Sequence, residues 1–177
     1  ITYWWAIRAS NVNGTGPVDT SAPEPNVVAG SFVLAQAPAG ATGPGEVGSV
    51  AWGDYDNDGN LDLAVNGHDG TAWRFRVYRN DGGTFTLAQE PAGAIGPGGA
   101  VAWADFDNDG DLDLAAGGND GTGERLRVYR NDSGTFVLAQ EPAGTLGPGD
   151  ALAWGDFDND GDLDLVAGGY AAGPRRL

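Results

Sequence analysis

The stretch Asp54-Tyr55-Asp56-Asn57-Asp58-Gly59-Asn60-Leu61-Asp62 decides the fold of this chain, because it occurs three times in nearly the same form. The second copy spans 105–113 and the third spans 156–164, so successive copies start at residues 54, 105 and 156. Each copy reads D-x-D-N-D-G-x-L-D. Alternating aspartates followed by a glycine are typical of calcium loops, because calcium takes about six to eight oxygen ligands at roughly 2.3–2.6 Å. The nonapeptide therefore predicts both a ligand and a repeat architecture.

Within each nonapeptide, which we call a D-loop, the candidate calcium ligands are the residues at positions 1, 3, 5, 7 and 9. Positions 1, 3 and 5 would turn carboxylate oxygens inward, position 7 would offer its backbone carbonyl, and the aspartate at position 9 would close the shell. Glycine at position 6 allows the sharp turn. The predicted metal ligands are Asp54, Asp56, Asp58, Asn60, Asp62, Asp105, Asp107, Asp109, Asp111, Asp113, Asp156, Asp158, Asp160, Asp162 and Asp164. We expect about three calcium ions, one per D-loop, and no other cofactor.

The residues that flank the D-loops exclude an ordinary helical calcium hand, which needs a glutamate at position 12 and a helix on either side. Position 12 is Val65, Ala116 or Ala167, and flanks such as 50–52 (Val-Ala-Trp) favour strands. Acidic turns without metal are the competing interpretation, since Asp, Asn and Gly favour turns. Three copies in register argue against acidic turns without metal. We expect the bound calcium to have a purely structural role.

Composition narrows the class of protein. The net charge is −16, and 14 of the 25 acidic residues lie in the D-loops, so the acidity argues against nucleic acid as a partner. Cysteine is absent, which excludes thiol chemistry, and no apolar run is long enough to span a membrane. Calcium loops of modest affinity fill where calcium is millimolar, which predicts a secreted or cell-surface protein. Because methionine is absent even at residue 1, we expect this chain to be a fragment of a longer protein.

The repeat is longer than the D-loop. Residues 83–93 return over 134–144 with one change, and a shorter version covers 30–40. One unit reads as a strand (85–89), a Gly/Pro-rich loop (90–99), a strand (100–103), a D-loop, a strand (112–116), a turn and a strand (126–130). Four short strands at a period near 50 residues favour propeller blades, and no stretch has helical periodicity. We predict an all-β chain with three repeats of about four antiparallel strands, at about 30–82, 83–133 and 134–177.

Residues 50–67 (V-A-W-G-D-Y-D-N-D-G-N-L-D-L-A-V-N-G), 101–118 and 152–169 resemble the FG-GAP/VCBS repeat, and the linking stretch 76–85 does so too. The resemblance covers roughly 30–177. It implies β-propeller blades like those of integrin alpha subunits, with calcium held by positions 1, 3, 5 and 9 of each D-loop. Such modules are mostly extracellular and serve adhesion, recognition or an associated enzyme. Family propellers close with about seven blades, so the three units here would be incomplete or completed by strand addition.

The segment that precedes the repeats has two interpretations. Residues 1–16 resemble the last two strands of a fibronectin type III domain, with 17–29 as a linker. Alternatively, 1–11 form a strand that completes the third unit, either in the same chain or in a neighbouring copy. The second arrangement would build a head-to-tail oligomer, or a filament if the rotation does not close a ring.

Three other sequence features give weaker functional predictions. Trp52, Trp103 and Trp154 precede the D-loops and are expected in the blade core rather than as sugar platforms. The arginines that alternate with apolar residues over 74–79 and 125–130 predict a solvated strand face. The stretch 131–133 (Asn-Asp-Ser) matches the glycan acceptor pattern.

We predict no catalytic residues and no enzyme activity, since His68 is the only histidine. The predicted function is an extracellular calcium-binding module with a structural or cell-adhesion role that assembles head to tail. The alternative is a glycan- or protein-recognition propeller module of a larger secreted protein.

Overall fold

The computed structural model describes residues 7–9, 32–34, 48–69, 72–92, 99–142 and 151–168. These residues form twelve strands and no helix, which confirms the all-β prediction. The strands are β1 (Ile7–Ala9), β2 (Phe32–Leu34), β3 (Ser49–Gly53), β4 (Asp62–His68), β5 (Trp73–Asp81), β6 (Thr84–Gln89), β7 (Val101–Ala104), β8 (Asp113–Asn119), β9 (Glu124–Asp132), β10 (Thr135–Gln140), β11 (Ala151–Gly155) and β12 (Asp164–Gly168).

All strand pairs are antiparallel and join neighbours along the chain. The first sheet has the order β3-β4-β5-β6, the second sheet has the order β7-β8-β9-β10, and the described part of the third sheet contains β11 and β12. These sheets are propeller-type blades that do not close into a ring, as predicted. Each D-loop joins the first two strands of a sheet, so the strand before a D-loop pairs directly with the strand after it.

The sheets divide the chain at different points from the repeat units defined in the sequence. The strand over 84–89, which opens the second sequence unit, is the fourth strand of the first sheet. In the same way, 135–140 closes the second sheet. The first sheet therefore runs from β3, before its D-loop, to β6, and the second sheet runs from β7, before its D-loop, to β10.

At the N-terminus, β1 pairs with β2, and Ile7 lies opposite Leu34. We call this pair the N-terminal ribbon. Completion of the third sheet by the segment over 1–11, in the same chain or in a neighbouring copy, stays a prediction. The rest of the fibronectin-like segment and of the linker lies outside the described residues, so that interpretation stays a prediction.

The core lies between the first and second sheets, where aromatic and aliphatic side chains from both sheets meet. Phe75 on β5 and Tyr129 on β9 are almost fully buried, with ring centroids 5.5 Å apart. The Tyr129 hydroxyl also donates to the carbonyl of Ala92 at 2.9 Å. The core residues are Tyr55, Ala64, Phe75, Val77, Val101, Leu114, Ala116, Tyr129 and Phe136. Burial of this apolar surface holds adjacent sheets face to face.

Gln89 is a second connection between these two sheets. Its side-chain amide donates to the carbonyl of Phe136 at 3.0 Å and accepts from the N–H of Phe136 at 2.9 Å. The Gln89 side chain thus supplies both an acceptor for the N–H and a donor for the carbonyl of Phe136.

The arginines of the third strands are paired with acids, and Arg76 and Arg127 are buried, so the prediction of a solvated face is wrong for these two. Asp120 accepts from Arg125 at 2.9 Å and from Arg127 at 3.0 Å, and Arg127 also bonds Glu141 at 3.0 Å. Asp69 does the same for Arg74 and Arg76 in the first sheet. Hydrogen bonds from Thr122 and Arg125 hold the pKa of Asp120 below its usual value. The turn between the second and third strands is therefore tied to the sheet by one carboxylate.

We predict that Asp120→Ala lowers the free energy of unfolding by about 1–3 kcal/mol, because it leaves the turn amides of Thr122 and Gly123 without an acceptor and removes one of the two carboxylates that pair with the buried Arg127 guanidinium. Denaturant unfolding at neutral pH measures the change. Because the pKa of Asp120 is lowered, its contribution to the free energy of unfolding is fully present at pH values above the usual pKa of a carboxylate. This contribution is lost as the pH falls toward the lowered pKa.

The matched control is Asp132→Ala, which removes the exposed partner of Arg130 on the same strand. An exposed pair of this kind contributes little, so this variant should unfold like the wild type. Equal effects of the two substitutions would contradict the role given to Asp120.

Candidate metal centres

Each D-loop turns sharply at two residues with left-handed backbone angles. In the first D-loop these are Asn57, with φ of 58°, and Gly59, with φ of 87°. The same two positions in the other D-loops have φ between 60° and 97°. Asparagine tolerates this region better than most residues, and glycine adopts it without strain. The paired turns bend nine residues into a tight loop, which is why Asn at position 4 and Gly at position 6 occur in all three copies.

The aspartate at position 1 is oriented by the backbone of its own loop. Asp54 accepts hydrogen bonds from the N–H groups of Asp58 at 3.1 Å and Gly59 at 3.0 Å. Asp105 and Asp156 receive the equivalent bonds at 3.0–3.1 Å. These bonds point the carboxylate at position 1 toward the middle of the loop.

Carboxylate oxygens converge within every D-loop. The groups whose oxygens all lie within 4.8 Å of one another are Asp54, Asp56 and Asp58; Asp105, Asp107 and Asp113; and Asp156, Asp158 and Asp164. Two oxygens bound to one calcium at about 2.3–2.6 Å are at most about 5 Å apart, so this spacing fits the ion. Carboxylates this close repel one another unless a cation lies between them.

The aspartate at position 9 links the D-loop to the rest of its sheet. Asp113 is fully buried, and it accepts from the N–H of Phe106 at 2.9 Å and from the N–H of Asn131 at 2.8 Å. Asp62 makes the same two bonds, to Tyr55 at 3.1 Å and Asn80 at 2.8 Å. Burial raises the pKa of Asp62, and it raises the pKa of Asp113 to about 6. A cation beside these carboxylates would favour their charged form.

The structure brings most of the predicted ligands together, with differences between copies. The cluster in the second D-loop includes Asp113 and the cluster in the third includes Asp164, both of which are at position 9. The cluster in the first D-loop instead includes Asp58, at position 5. Asp62, Asp109 and Asp160 are not members of these clusters. The assignment of the carboxylates at positions 1, 3, 5 and 9 and of the carbonyls at position 7 as metal ligands stays a prediction.

Sequence reasoning missed a connection between successive D-loops. Asn57 in the first D-loop donates its amide to the Asp111 carboxylate in the second, at 2.8 Å. Asn108 donates to Asp162 in the third D-loop at 3.2 Å. At position 7 only the backbone carbonyl was predicted to have a role, but in these two D-loops the side chain accepts a hydrogen bond from the preceding loop. The signal in the sequence was the asparagine repeated at position 4, which no ligand role explained.

The glycan acceptor pattern at 131–133 does not mark an accessible asparagine. Asn131 is fully buried, and its side-chain amide donates to the carbonyls of Tyr55 at 2.8 Å and Leu112 at 3.1 Å. Its side-chain oxygen accepts from Gly134 at 2.6 Å. Asn131 therefore fastens the third strand of the second sheet to both D-loops beside it.

His68 contacts the ring of Trp73 edge-on, with centroids 5.2 Å apart. Over the described ranges, no helix has the length and apolar character needed to cross a membrane. The arrangement as a whole presents oxygen ligands at three equivalent places and suits binding of a hard divalent cation.

Two comparisons with known proteins agree with this geometry. The family model of the FG-GAP-like repeat matches residues 67–116 and 114–167, and each match contains one complete D-loop. Human (Homo sapiens) cartilage acidic protein 1 is 30% identical over 153 residues, which cover 77% of this chain and 22% of that protein. The chain thus spans about a fifth of the length of this relative. Because the repeat matches extend over more than half of its residues, the chain belongs to the family of FG-GAP-like repeat proteins.

Proposed function

We propose that this chain is an extracellular repeat module, stabilised by calcium, with a structural or adhesive role that includes head-to-tail assembly. The observation that carries the proposal is the convergence of three carboxylates within 4.8 Å in each of three D-loops. Every D-loop joins the first two strands of a sheet, so the proposed ion lies where each sheet begins.

The proposed action of calcium is to remove repulsion that opposes the folded loop. Bound calcium would neutralise the clustered aspartates and hold the two strands of each hairpin at a fixed separation. Because the buried Asp113 also bonds the N–H of Asn131, an ion beside it would stiffen the link from the D-loop to β9. Binding and folding would then be coupled, as they are whenever only the folded state holds the ligand.

The hydrogen bonds from Asn57 to Asp111 and from Asn108 to Asp162 support joint action of the three centres. An ordered first D-loop presents its asparagine to the second, and the second presents its own to the third. Loading of one centre would therefore help to order the next along the chain.

An extracellular location is supported by the chemistry of the ligands and by the family. Exposed loops with few ligands are typical of sites that need about millimolar calcium, a concentration found outside cells. Family membership adds weight to an adhesive or structural role, and no catalytic role is proposed.

The exposed aromatic side chains favour association between repeats over recognition of a glycan. Among the described residues, the exposed large hydrophobic side chains that are aromatic are Trp52 and Phe157. Trp52 lies on β3 of the first sheet, and Phe157 lies in the D-loop of the third sheet, so the two rings are on different sheets. A recognition surface would instead require such groups to project together from neighbouring loops.

We predict that isothermal titration detects about three calcium ions per chain and that calcium raises the midpoint of thermal unfolding. At a free calcium concentration of about 100 times the dissociation constant, each site would add about 2.7 kcal/mol to the free energy of unfolding. The double substitution Asp105→Asn with Asp107→Asn should reduce the stoichiometry by one ion, because it replaces two of the three converging carboxylates of the second cluster with neutral amides.

The matched control for this titration is Asp132→Asn, which lowers the negative charge on β9 outside every D-loop and should keep all sites. Unchanged stoichiometry in the double variant, or an unfolding midpoint that responds to neither calcium nor chelator, would refute the calcium proposal.

We also predict that magnesium stabilises the protein less than calcium at the same concentration. Magnesium requires near-octahedral geometry at about 2.0–2.1 Å and gives up its water reluctantly, whereas these loops present closely spaced carboxylates around a tight turn. Thermal unfolding in matched chloride salts measures the difference. Equal stabilisation by both ions would point to general charge screening.

A further inference from the structure

The asparagine at position 4 of the first and second D-loops forms hydrogen bonds with the D-loop that follows. Asn57 donates its side-chain amide to the Asp111 carboxylate at 2.8 Å and to the Gly110 carbonyl at 3.4 Å. Asn108 donates to the Asp162 carboxylate at 3.2 Å. In both cases the acceptor carboxylate is at position 7 of the next loop, 54 residues along the chain. The same pair of positions therefore connects the first loop to the second and the second to the third.

The amide at position 4 is in place only while its own loop is folded. Asn57 and Asn108 have left-handed backbone angles, with φ of 58° and 60°, which residues other than glycine rarely adopt. The residues that follow Asn57 complete the turn by donating the N–H groups of Asp58 and Gly59 to Asp54. Repulsion among the clustered carboxylates opposes this turn, and a bound cation would remove the repulsion. Occupancy of one centre would therefore favour the conformation that presents the amide to the next loop.

The acceptor at position 7 lies beside the part of the second D-loop that is tied to its sheet. Leu112 accepts from the side-chain amide of Asn131 at 3.1 Å, and Asp113 accepts from the N–H of Asn131 at 2.8 Å. Asp113 is one of the three clustered carboxylates of this loop. The bond from Asn57 to Asp111 thus holds the chain two residues before a carboxylate of the second cluster.

Asn131 is a second link between the first two D-loops. Its side-chain amide donates to the carbonyl of Tyr55, at position 2 of the first loop, at 2.8 Å. Because the same buried residue also bonds Leu112 and Asp113, it contacts both loops at once. The second D-loop is therefore connected to the first at positions 7, 8 and 9, and an ordered first loop helps to define all three.

The residue type at position 7 distinguishes a bond between loops from a bond within one loop. In the first D-loop position 7 is Asn60, whose side-chain amide donates to Asp58 of its own loop at 2.9 Å. In the second and third D-loops this position is Asp111 and Asp162, and an ionised carboxylate can only accept. These two carboxylates accept from the asparagine of the preceding loop.

Direct electrostatic coupling between neighbouring centres has the opposite sign. A cation in one loop lowers the negative charge that attracts a cation to the next. The contact between Asn57 and Asp111 is exposed, so salt screens the charges around it, with a Debye length of about 8 Å at 0.15 M and about 3 Å at 1 M. The hydrogen bond has a neutral donor and is much less sensitive to salt. Coupling through the hydrogen bond should therefore persist as the salt concentration is raised.

We propose that the side-chain amides of Asn57 and Asn108 make calcium binding cooperative, with the second D-loop as the link between the first and the third. This inference rests on the calcium part of the proposed function and adds which side chains carry the coupling. The coupling is reciprocal, because an ion that raises the affinity of its neighbour has its own affinity raised by the same factor. One hydrogen bond of this kind corresponds to a factor of about three to ten in affinity.

The test compares two chains that each keep two centres. Asp156→Asn with Asp158→Asn removes the third centre and leaves the first and second, which are bonded to each other. Asp105→Asn with Asp107→Asn removes the second centre and leaves the first and third, which share no hydrogen bond among the described residues. Calorimetric titration with calcium should give a Hill coefficient of about 1.3–1.5 for the bonded pair and about 1 for the separated pair. The value for the bonded pair should not fall when salt is raised from about 0.15 M to about 1 M.

The decisive variant is Asn57→Gly in the chain that keeps the first and second centres. Glycine adopts the left-handed backbone without strain, so this substitution removes the amide and keeps the turn. We expect two ions still to bind, with a Hill coefficient of about 1. The matched control is Asn108→Gly in the same chain. It makes the same backbone change in a loop that keeps its ion, breaks only the bond to the third D-loop, and should leave the cooperativity intact.

The acceptor gives an independent check on the same bond. Asp111→Ala should lower the Hill coefficient as Asn57→Gly does, and the two substitutions together should lower it no further, because each removes the same interaction. Circular dichroism in chelator shows whether each variant keeps the β-sheet content of its parent.

The outcomes separate the coupling from the calcium proposal. A Hill coefficient of about 1 for the bonded pair, equal coefficients for the two two-centre chains, or a coefficient that Asn57→Gly leaves unchanged would overturn the inference and leave calcium binding standing. An equal loss of cooperativity in Asn108→Gly would also overturn it, since stiffness of the turn would then be the source. Absence of calcium binding in every chain would overturn both.

Discussion

The mutual repulsion of the aspartates in each D-loop is the constraint around which every sheet is built. Three carboxylates lie within 4.8 Å of one another at the point where the first strand turns into the second. Backbone N–H groups of the loop orient the first of them, and the buried aspartate at position 9 ties the loop to the third strand. The hairpin, the loop and the third strand are therefore one unit, and a cation among the carboxylates would stabilise all three together.

Repetition of that unit at a constant spacing makes the contacts between sheets repeat as well. A stacked pair such as Tyr55 and Trp103 recurs as Phe106 and Trp154, and the asparagine at position 4 reaches the next D-loop in both cases. The junctions combine buried apolar area with directed hydrogen bonds, which define the orientation of one sheet on the next.

Much of the candidate site followed from the sequence because its geometry is local. The turn at Gly59 and the carboxylates of Asp54 and Asp56 lie within six residues, so their spacing along the chain determines which oxygens meet. The strands on either side also followed, since a D-loop of fixed length pairs its two flanks directly. The bond from Asn57 to Asp111 did not follow, because it joins residues 54 apart whose proximity depends on how two sheets stack.

By itself, the sequence determined the fold class, the three D-loops and the family, because all of these are written in local patterns that recur. Only the tertiary structure decided that the strand over 84–89 closes the first sheet, that Asn131 is buried, and that Trp52 is exposed while Trp103 is not. The physical reason is that identical repeats acquire different surroundings. Burial of a side chain depends on the sheet that lies next to it, and the repeats at the two ends have a neighbouring sheet with a D-loop on one side only.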